Sequence, residues 1–131
     1  MHAAELHREL ARLARDAAFR NSLGQGVYIL DEQGLLVELN PAAERLLGWT
    51  QSELRGRNMH DAVHYLRPDG SPFPGEDCPL LHVLESGVDF GETNDVFVRR
   101  DGSFLPVAYV SSPVRLEEGE VVGAVLAFWA L

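Results

Sequence analysis

The C-terminal part of the chain most constrains its fold, because it contains three β-prone runs joined by short turns. The runs are Asp95–Arg100, Phe104–Val114 and Val121–Leu131. Asp101-Gly102 supplies a hairpin turn after the first run, and Glu117–Gly119 supplies a turn after the second. Strands joined by connections this short pair antiparallel, so the pattern predicts a three-stranded antiparallel unit.

A hairpin and several short helices are predicted before this unit. The runs VYIL and LLVEL, separated by DEQG, have the composition of a strand, a turn and a second strand. Asn40 and Pro41 then have the residue types that begin a helix, which Gly48 ends. Thr50 and Glu53 have the spacing of a capping box at the start of another helix. Grouped strands and grouped helices in this order favour an α+β fold.

A second stretch of the middle region combines chain breakers with a helix. The segment RPDGSPFPGED holds three prolines and two glycines, which predicts a loop. The next segment, CPLLHVLESG, predicts a helix that Pro79 begins and Gly87 ends.

The first residues show a helical apolar stripe. Leu6, Leu10, Leu13 and Ala17 recur at spacings of four, three and four residues, with charged side chains between them. Such a stripe packs either on its own domain or along the same stripe of a second chain, since the spacing also fits a two-stranded coil.

Composition excludes several classes of function. The 131 residues suit one domain, and a formal net charge of −9 disfavours nucleic acid as a partner. All 11 basic residues are arginine, so there is no lysine for a Schiff base or a phosphate-binding loop. The longest uncharged apolar run has 11 residues, fewer than the roughly 20 of a membrane-spanning helix. With one cysteine and no signal-peptide pattern, we expect a cytoplasmic protein.

The ordered motifs from Gly26 to Phe128 resemble a PAS domain. They are GVYILDEQGLLVELNPAAERLLGWTQSELRGRN followed by VRRDGSFLPVAYVSSPVRLEEGEVVGAVLAF. The resemblance implies a five-stranded antiparallel sheet with short helices on one face and an amphipathic helix before it. It also implies a sensory or dimerising module. We therefore expect a flanking helix in residues 1–23 and a PAS sensor domain in residues 24–131.

The resemblance leads to a functional hypothesis without catalysis. We expect an input module of a bacterial kinase, phosphatase or transcription regulator, with the output domain outside this chain and a small-molecule ligand that the sequence does not identify. We also expect a homodimer, since Trp129 and Leu131 would be costly as free surface and should pack on the first helix, on a partner or on a following domain. The predicted dimer residues are Leu6, Leu10, Leu13, Ala17, Trp129 and Leu131.

The histidine and cysteine motif NMHDAVHYLRPDGSPFPGEDCPLL resembles a pattern found in one PAS subgroup, which fixes no ligand. The His60 and His64 spacing is that of a zinc-protease helix, but Asp61 is shorter than the glutamate that would act as base there. We therefore expect no catalysis. His60, His64 and Cys78 could instead give three zinc ligands, or one histidine could be exposed while the other bonds the following loop.

Two cofactors of the PAS family give further alternatives. Haem could be bound by Cys78 at a helix start or by His82 one turn later, although a lone cysteine also serves as buried apolar filler. Met59 occupies the position of the reactive cysteine in blue-light relatives, so photoactive flavin is not expected. Trp49 and Phe73 are either ligand contacts or packing anchors. The candidate ligand-binding residues are Cys78, His82, His64, Met59, Trp49 and Phe73.

Overall fold

A computed structural model describes residues 24–117 and 119–131 of this chain, and these residues form a sheet and short helices. The strands are β1 Gly26–Asp31, β2 Leu36–Leu39, β3 Phe90–Val98, β4 Phe104–Arg115 and β5 Val121–Ala130. The helices are α1 Pro41–Leu47, α2 Gln51–Leu54, α3 Met59–Val63 and α4 Pro79–Ser86, with a 3-10 turn at Gly75–Asp77. The predicted helix in residues 1–23 lies outside the described residues.

The strands form one antiparallel sheet in the order β2-β1-β5-β4-β3. The predicted five-stranded α+β architecture is therefore confirmed. The first strand of the C-terminal unit starts at Phe90 rather than at the predicted Asp95, and its register shifts between Glu92 and Asp95. The segment GETND has no apolar alternation, so sequence periodicity could not reveal a strand whose pairing is irregular.

Prolines in sheets usually lie at an edge or a bulge, yet Pro106 lies in β4 between β3 and β5. Pairing of β4 with β5 begins at Val107 opposite Ala130, one residue after the proline. Beyond that point the Pro106 carbonyl accepts a hydrogen bond from the Leu131 amide at 3.0 Å. A proline is tolerated here because its missing amide faces the end of the neighbouring strand.

The helices cover one face of the sheet and enclose the main apolar core. The aromatic rings of Phe97 and Tyr109 stack within it, with centroids 5.6 Å apart. Tyr28 and Leu30 of β1 lie in this core, whereas Ile29 lies in a second apolar cluster with Val114, Leu116 and Val122. Since successive strand residues point to opposite faces, the second cluster lies on the other side of the sheet.

The predicted helix caps are present. The Asn40 side chain caps α1, where its Oδ1 accepts hydrogen bonds from the amides of Ala43 and Val27, both at 2.9 Å. The cap therefore ties α1 to β1. Thr50 and Glu53 form the expected capping box of α2. Among the described residues, no helix has the length and apolar content to span a membrane.

Candidate functional site

The histidine and cysteine side chains of the sequence motif converge beneath α4. His60 lies in α3, His64 is the residue that ends this helix, and Cys78 is the N-cap residue of α4. The loop between them turns back on itself, because the Phe73 amide donates to the Tyr65 carbonyl at 2.9 Å. Ligand-capable atoms of His60, His64 and Cys78 all lie within 4.8 Å of one another. The structure thus brings together the three residues predicted as metal ligands.

The ring of His64 lies between a carboxylate and the cysteine sulfur. Its Nε2 is 2.9 Å from Oδ2 of Asp95, and its Nδ1 is 3.5 Å from Sγ of Cys78. An ionised carboxylate only accepts hydrogen bonds, so Nε2 carries the proton that His64 donates to Asp95. Nδ1 therefore either accepts from the thiol or, on a charged ring, donates to the thiolate.

A backbone carbonyl fixes the orientation of the His60 ring, as Asp95 does for His64. Its Nε2 is 2.6 Å from the carbonyl oxygen of Phe73, which can only accept a hydrogen bond. Nε2 therefore carries the proton here too. Nδ1 of His60 is buried and has no hydrogen-bond partner among the described residues.

Asp95 links the histidine to the sheet. Besides bonding His64, its Oδ2 accepts a hydrogen bond from the Tyr109 hydroxyl at 2.6 Å. Asp95 lies at the register shift of β3, and Tyr109 lies on β4. Hydrogen bonds through Asp95 therefore connect His64 to both strands.

The surroundings of the cluster favour the ionised forms of Cys78 and Asp95 and the protonated form of His64. Burial opposes ionisation of the Cys78 thiol, but interactions with His60 and His64 outweigh it and lower the pKa of Cys78. Burial also opposes charge on His64, but its hydrogen bonds with Asp95 and Cys78 raise the pKa of the ring. The pKa of Asp95 is lowered, since hydrogen bonds from His64 and Tyr109 outweigh the effect of burial. Cys78 is thus placed to be a thiolate, the form that binds metals and reacts with electrophiles.

The site is enclosed, with little free space. Cys78 is 1% exposed and His64 is 2% exposed. A cavity of about 10 Å³ adjoins the cluster, which is room for about one water molecule. It is lined by Tyr28, Leu30, Met59, His60, His64, Cys78, Leu80, Leu81, Ser111 and Leu126. Pockets for organic ligands of drug size measure roughly 300 Å³ or more, so haem does not fit beside Cys78 in this conformation.

The other predicted ligand-binding residues are distributed unevenly. Met59 is buried and lines the cavity, and the Phe73 ring packs edge-on against both histidine rings. Trp49 packs against the main core elsewhere, with the guanidinium groups of Arg57 and Arg100 over its ring. His82 is exposed, and its Nε2 lies 3.0 Å from the Glu76 carbonyl oxygen. The cluster thus includes Met59 and Phe73 but not Trp49 or His82.

Sequence reasoning missed three residues around the cluster. Asp95 and Tyr109 bond the histidine, and Ser111, which is 2% exposed, lines the cavity. The only sequence signal was an aspartate at the point where β-prone character begins, and this does not distinguish a buried acid from a turn residue.

The sequence and the fold agree on the family. A family model described as PAS fold matches residues 14–128. This chain belongs to the PAS family. The probable diguanylate cyclase DgcE of Escherichia coli (strain K12) is 28% identical over 106 residues. That alignment covers 81% of the chain and 9% of DgcE. The histidine kinase AtoS of the same organism is 28% identical over 124 residues, covering 91% of the chain and 19% of AtoS.

Solved structures show the same PAS fold. The PAS domain of a Colwellia psychrerythraea protein superposes with a TM-score of 0.70 at 17% identity, covering 93% of this chain and 96% of that domain. The fungal photoreceptor Vivid, in its light-state dimer, superposes with a TM-score of 0.62 at 18% identity. The superposition covers 81% of this chain and 77% of the Vivid chain. An RNA-binding light-oxygen-voltage receptor gives 0.67 at 26% identity, covering 99% of this chain and 34% of the receptor. The chain spans less than a fifth of the two curated relatives, whose other regions it does not match.

Proposed function

We propose that this PAS domain is the non-catalytic input module of a bacterial signalling protein and that the His60, His64 and Cys78 cluster receives its signal. The observation that carries the proposal is this buried polar cluster at the junction of the helices and the sheet. Burying ionisable groups in an apolar core costs free energy, and such groups concentrate at functional sites. One E. coli relative is named a signal transduction histidine-protein kinase and the other a probable diguanylate cyclase, which supports the same role.

A catalytic role fits the cluster poorly. Cys78, His64 and Asp95 follow one another as a nucleophile, a base and an orienting acid do in cysteine hydrolases. A nucleophile must reach its substrate, however, and Cys78 is 1% exposed beside a cavity the size of a water molecule. The arrangement therefore suits a small signal that enters the core better than a substrate that must be bound and released.

The surroundings of the cluster supply a route for the signal. Cys78 is the N-cap residue of α4, and this helix packs against β3, β4 and β5. At the other end of α4, the Gly87 carbonyl accepts a hydrogen bond from Nη2 of Arg115 on β4 at 2.7 Å. A ligand that binds one arrangement of α4 and the sheet better than another would shift the population toward that arrangement, by no more than the difference in binding free energy.

We infer further that a second copy of this chain packs on the exposed apolar side chains of β4, of β5 and of the residue that follows β5. Val110, Trp129 and Leu131 are 42%, 38% and 65% exposed. Trp129 lies opposite Ala108 in the register, so this patch spans two adjacent strands. The dimer of the Vivid domain, which has the same fold, supports self-association. Leu6, Leu10, Leu13 and Ala17 remain predicted interface residues outside the described part of the chain, and we place the protein in the cytoplasm.

Hydrogen exchange can test signal reception at the cluster. We expect Cys78→Ala to change amide exchange at the start of β1 and the end of β5 at least fivefold relative to Val83→Ala. Val83 is a matched control, since it lies in the same helix and is 1% exposed but does not line the cavity beside the cluster. Equal exchange patterns in the two variants would contradict a specific route from the cluster.

Sedimentation equilibrium can test the proposed dimer. We expect Trp129→Ser to raise the dimer dissociation constant at least tenfold, because an aromatic side chain central to an interface contributes about 2 kcal/mol or more. Val88→Ser is the control, since Val88 is 66% exposed but lies in the loop after α4. A monomeric wild type, or equal weakening by both substitutions, would contradict the interface.

A further inference from the structure

We propose that Nδ1 of His60, Nδ1 of His64 and Sγ of Cys78 bind one divalent zinc-class cation. The inference deepens the proposed sensory function by naming the ligand of the cluster, and it rests on that function for the metal's role as a signal.

The donor set and its spacing suit zinc. Two imidazoles and a thiolate are the soft and borderline ligands that zinc sites use. In a tetrahedral site with the usual bond lengths, a nitrogen and a sulfur ligand lie about 3.5 Å apart and two nitrogens about 3.3 Å apart. Nδ1 of His64 and Sγ of Cys78 already lie 3.5 Å apart, and ligand-capable atoms of His60, His64 and Cys78 all lie within 4.8 Å of one another. A small inward movement of these side chains would complete the geometry.

Both rings are held as metal-binding histidines are. Such histidines usually donate the N–H that does not face the metal to a carboxylate or a backbone carbonyl. Nε2 of His64 donates to Asp95, and Nε2 of His60 donates to the Phe73 carbonyl. In the neutral rings these bonds fix the lone pairs on the two Nδ1 atoms, which are the atoms left to bind a cation.

The missing hydrogen-bond partner of His60 Nδ1 in the described part of the chain points to a ligand independently of the donor types and their spacing. His60 is 4% exposed, and this nitrogen has no hydrogen-bond partner among the described residues. Leaving a buried acceptor unsatisfied costs about 1–3 kcal/mol. A cation bound between His60, His64 and Cys78 would remove this cost.

Three protein ligands leave one coordination position open. The adjoining cavity of about 10 Å³ has room for one water molecule as the fourth ligand. The hydroxyl-bearing Ser111 lines this cavity. The site therefore resembles zinc centres that exchange a ligand more than closed structural centres, which suits a site that must bind and release.

Cobalt substitution tests the site by spectroscopy. The full chain is stripped with a chelator under reducing conditions and titrated with Co²⁺. We expect saturation at one equivalent, with the visible bands of a tetrahedral site and the near-ultraviolet charge-transfer band of a cobalt–thiolate bond. Zn²⁺ should then displace the cobalt and abolish both signals.

Single substitutions assign the ligands. Cys78→Ser should abolish the charge-transfer band, and His60→Gln should weaken cobalt binding at least a hundredfold. Asp95→Asn should weaken binding about 10- to 100-fold, since Asp95 only orients a ligand. His82→Ala is the matched control, because His82 is an exposed histidine of the same helix as Cys78, and it should leave the spectrum unchanged.

The possible outcomes separate the two proposals. Circular dichroism establishes that each protein is folded, and His60→Gln provides a second variant if Cys78→Ser does not fold. A folded wild type that shows no charge-transfer band with excess Co²⁺ and retains no Zn²⁺ against a chromogenic chelator would overturn the metal site. If metal binds but leaves exchange in β1 and β5 unchanged, the metal site stands and the sensory role fails. If no metal binds while Cys78→Ala alters that exchange, the sensory role stands and the metal site fails.

Discussion

His60 and His64 show how much a residue's role depends on the partner of its second ring nitrogen. Their spacing in the sequence left two possibilities, a three-ligand set with Cys78 or one exposed histidine beside one that bonds the following loop. The structure buries both rings and places them next to Cys78. The sequence could not show that Asp95 would orient His64, because this contact spans 31 residues. It depends on where the irregular strand β3 pairs with β4, and no local pattern encodes that register.

Asn40 is the single residue whose loss we expect to cost most at the start of the helical segment. Its Oδ1 serves both the first turn of α1 and the Val27 amide of β1. Asn40→Ala removes a helix cap, which costs about 1 kcal/mol, and leaves a buried amide unsatisfied, which costs about 1–3 kcal/mol. We expect urea unfolding to show a loss of about 2–4 kcal/mol. Thr50→Ala, which removes only the exposed cap of α2, should cost about 1 kcal/mol or less, and an equal loss would contradict the bridging role.

At the scale of elements, the sequence predicted the ends of helices and strands that are marked by proline, glycine or a turn. It did not predict the start of a strand that pairs irregularly. Helix α4 begins at Pro79 and is followed by Gly87 in the left-handed conformation, as its residue types predicted. The predicted C-terminal strands start at Phe104 and Val121 as expected, because a turn precedes each. Strand β3 was predicted too short, since its first half has mixed polarity and pairs irregularly.

The close pairing of β1 and β5 requires a glycine. A Cβ atom at Gly123 would collide with the backbone carbonyl oxygen of Leu30. We expect Gly123→Ala to destabilise the domain by about 1–3 kcal/mol, because the backbone of β1 must move. Gly91→Ala is the matched strand control, since a Cβ there would lie 3.4 Å from its nearest atom. Thermal unfolding measures both, and equal midpoints would show that β1 and β5 accommodate the methyl group.

The end of α4 depends on a side chain from the sheet. Arg115 donates to the Gly87 carbonyl and also to the Gly119 carbonyl. We expect Arg115→Ala to lower the free energy of local opening of α4 by about 1 kcal/mol, so that the α4 amides exchange about fivefold faster. Arg55→Ala is the control, because its exposed ion pair with Glu38 at 3.4 Å should contribute almost nothing. Unchanged exchange in α4 would mean that its packing alone holds the helix in place.

At the scale of the whole molecule, the net charge of this chain argues against RNA, the partner named for one of its structural relatives. The RNA-binding light-oxygen-voltage receptor shares the fold at 26% identity. This chain has 20 acidic and 11 basic residues, and a net charge of −9 repels a polyanion over most of its surface. Composition alone therefore predicts a difference in partner that the fold does not show.

RNA binding can be measured directly. We expect the fluorescence anisotropy of a labelled hairpin RNA to stay constant up to about 100 μM of this chain, a range that would reveal ordinary non-specific binding. The RNA-binding receptor serves as the positive control under the same conditions. Saturable binding that weakens with added salt would contradict the expectation and would indicate a local basic surface.

The order of strands also has a mechanical consequence. The first strand and the last strand are neighbours at the centre of the sheet, and Gly26 lies opposite Phe128. Since β5 ends only two residues beyond Phe128, the start of β1 and the end of β5 lie within about 10 Å of each other. A small sliding of β1 along β5 would therefore change the relative position and angle of the chain segments on either side of these two strands.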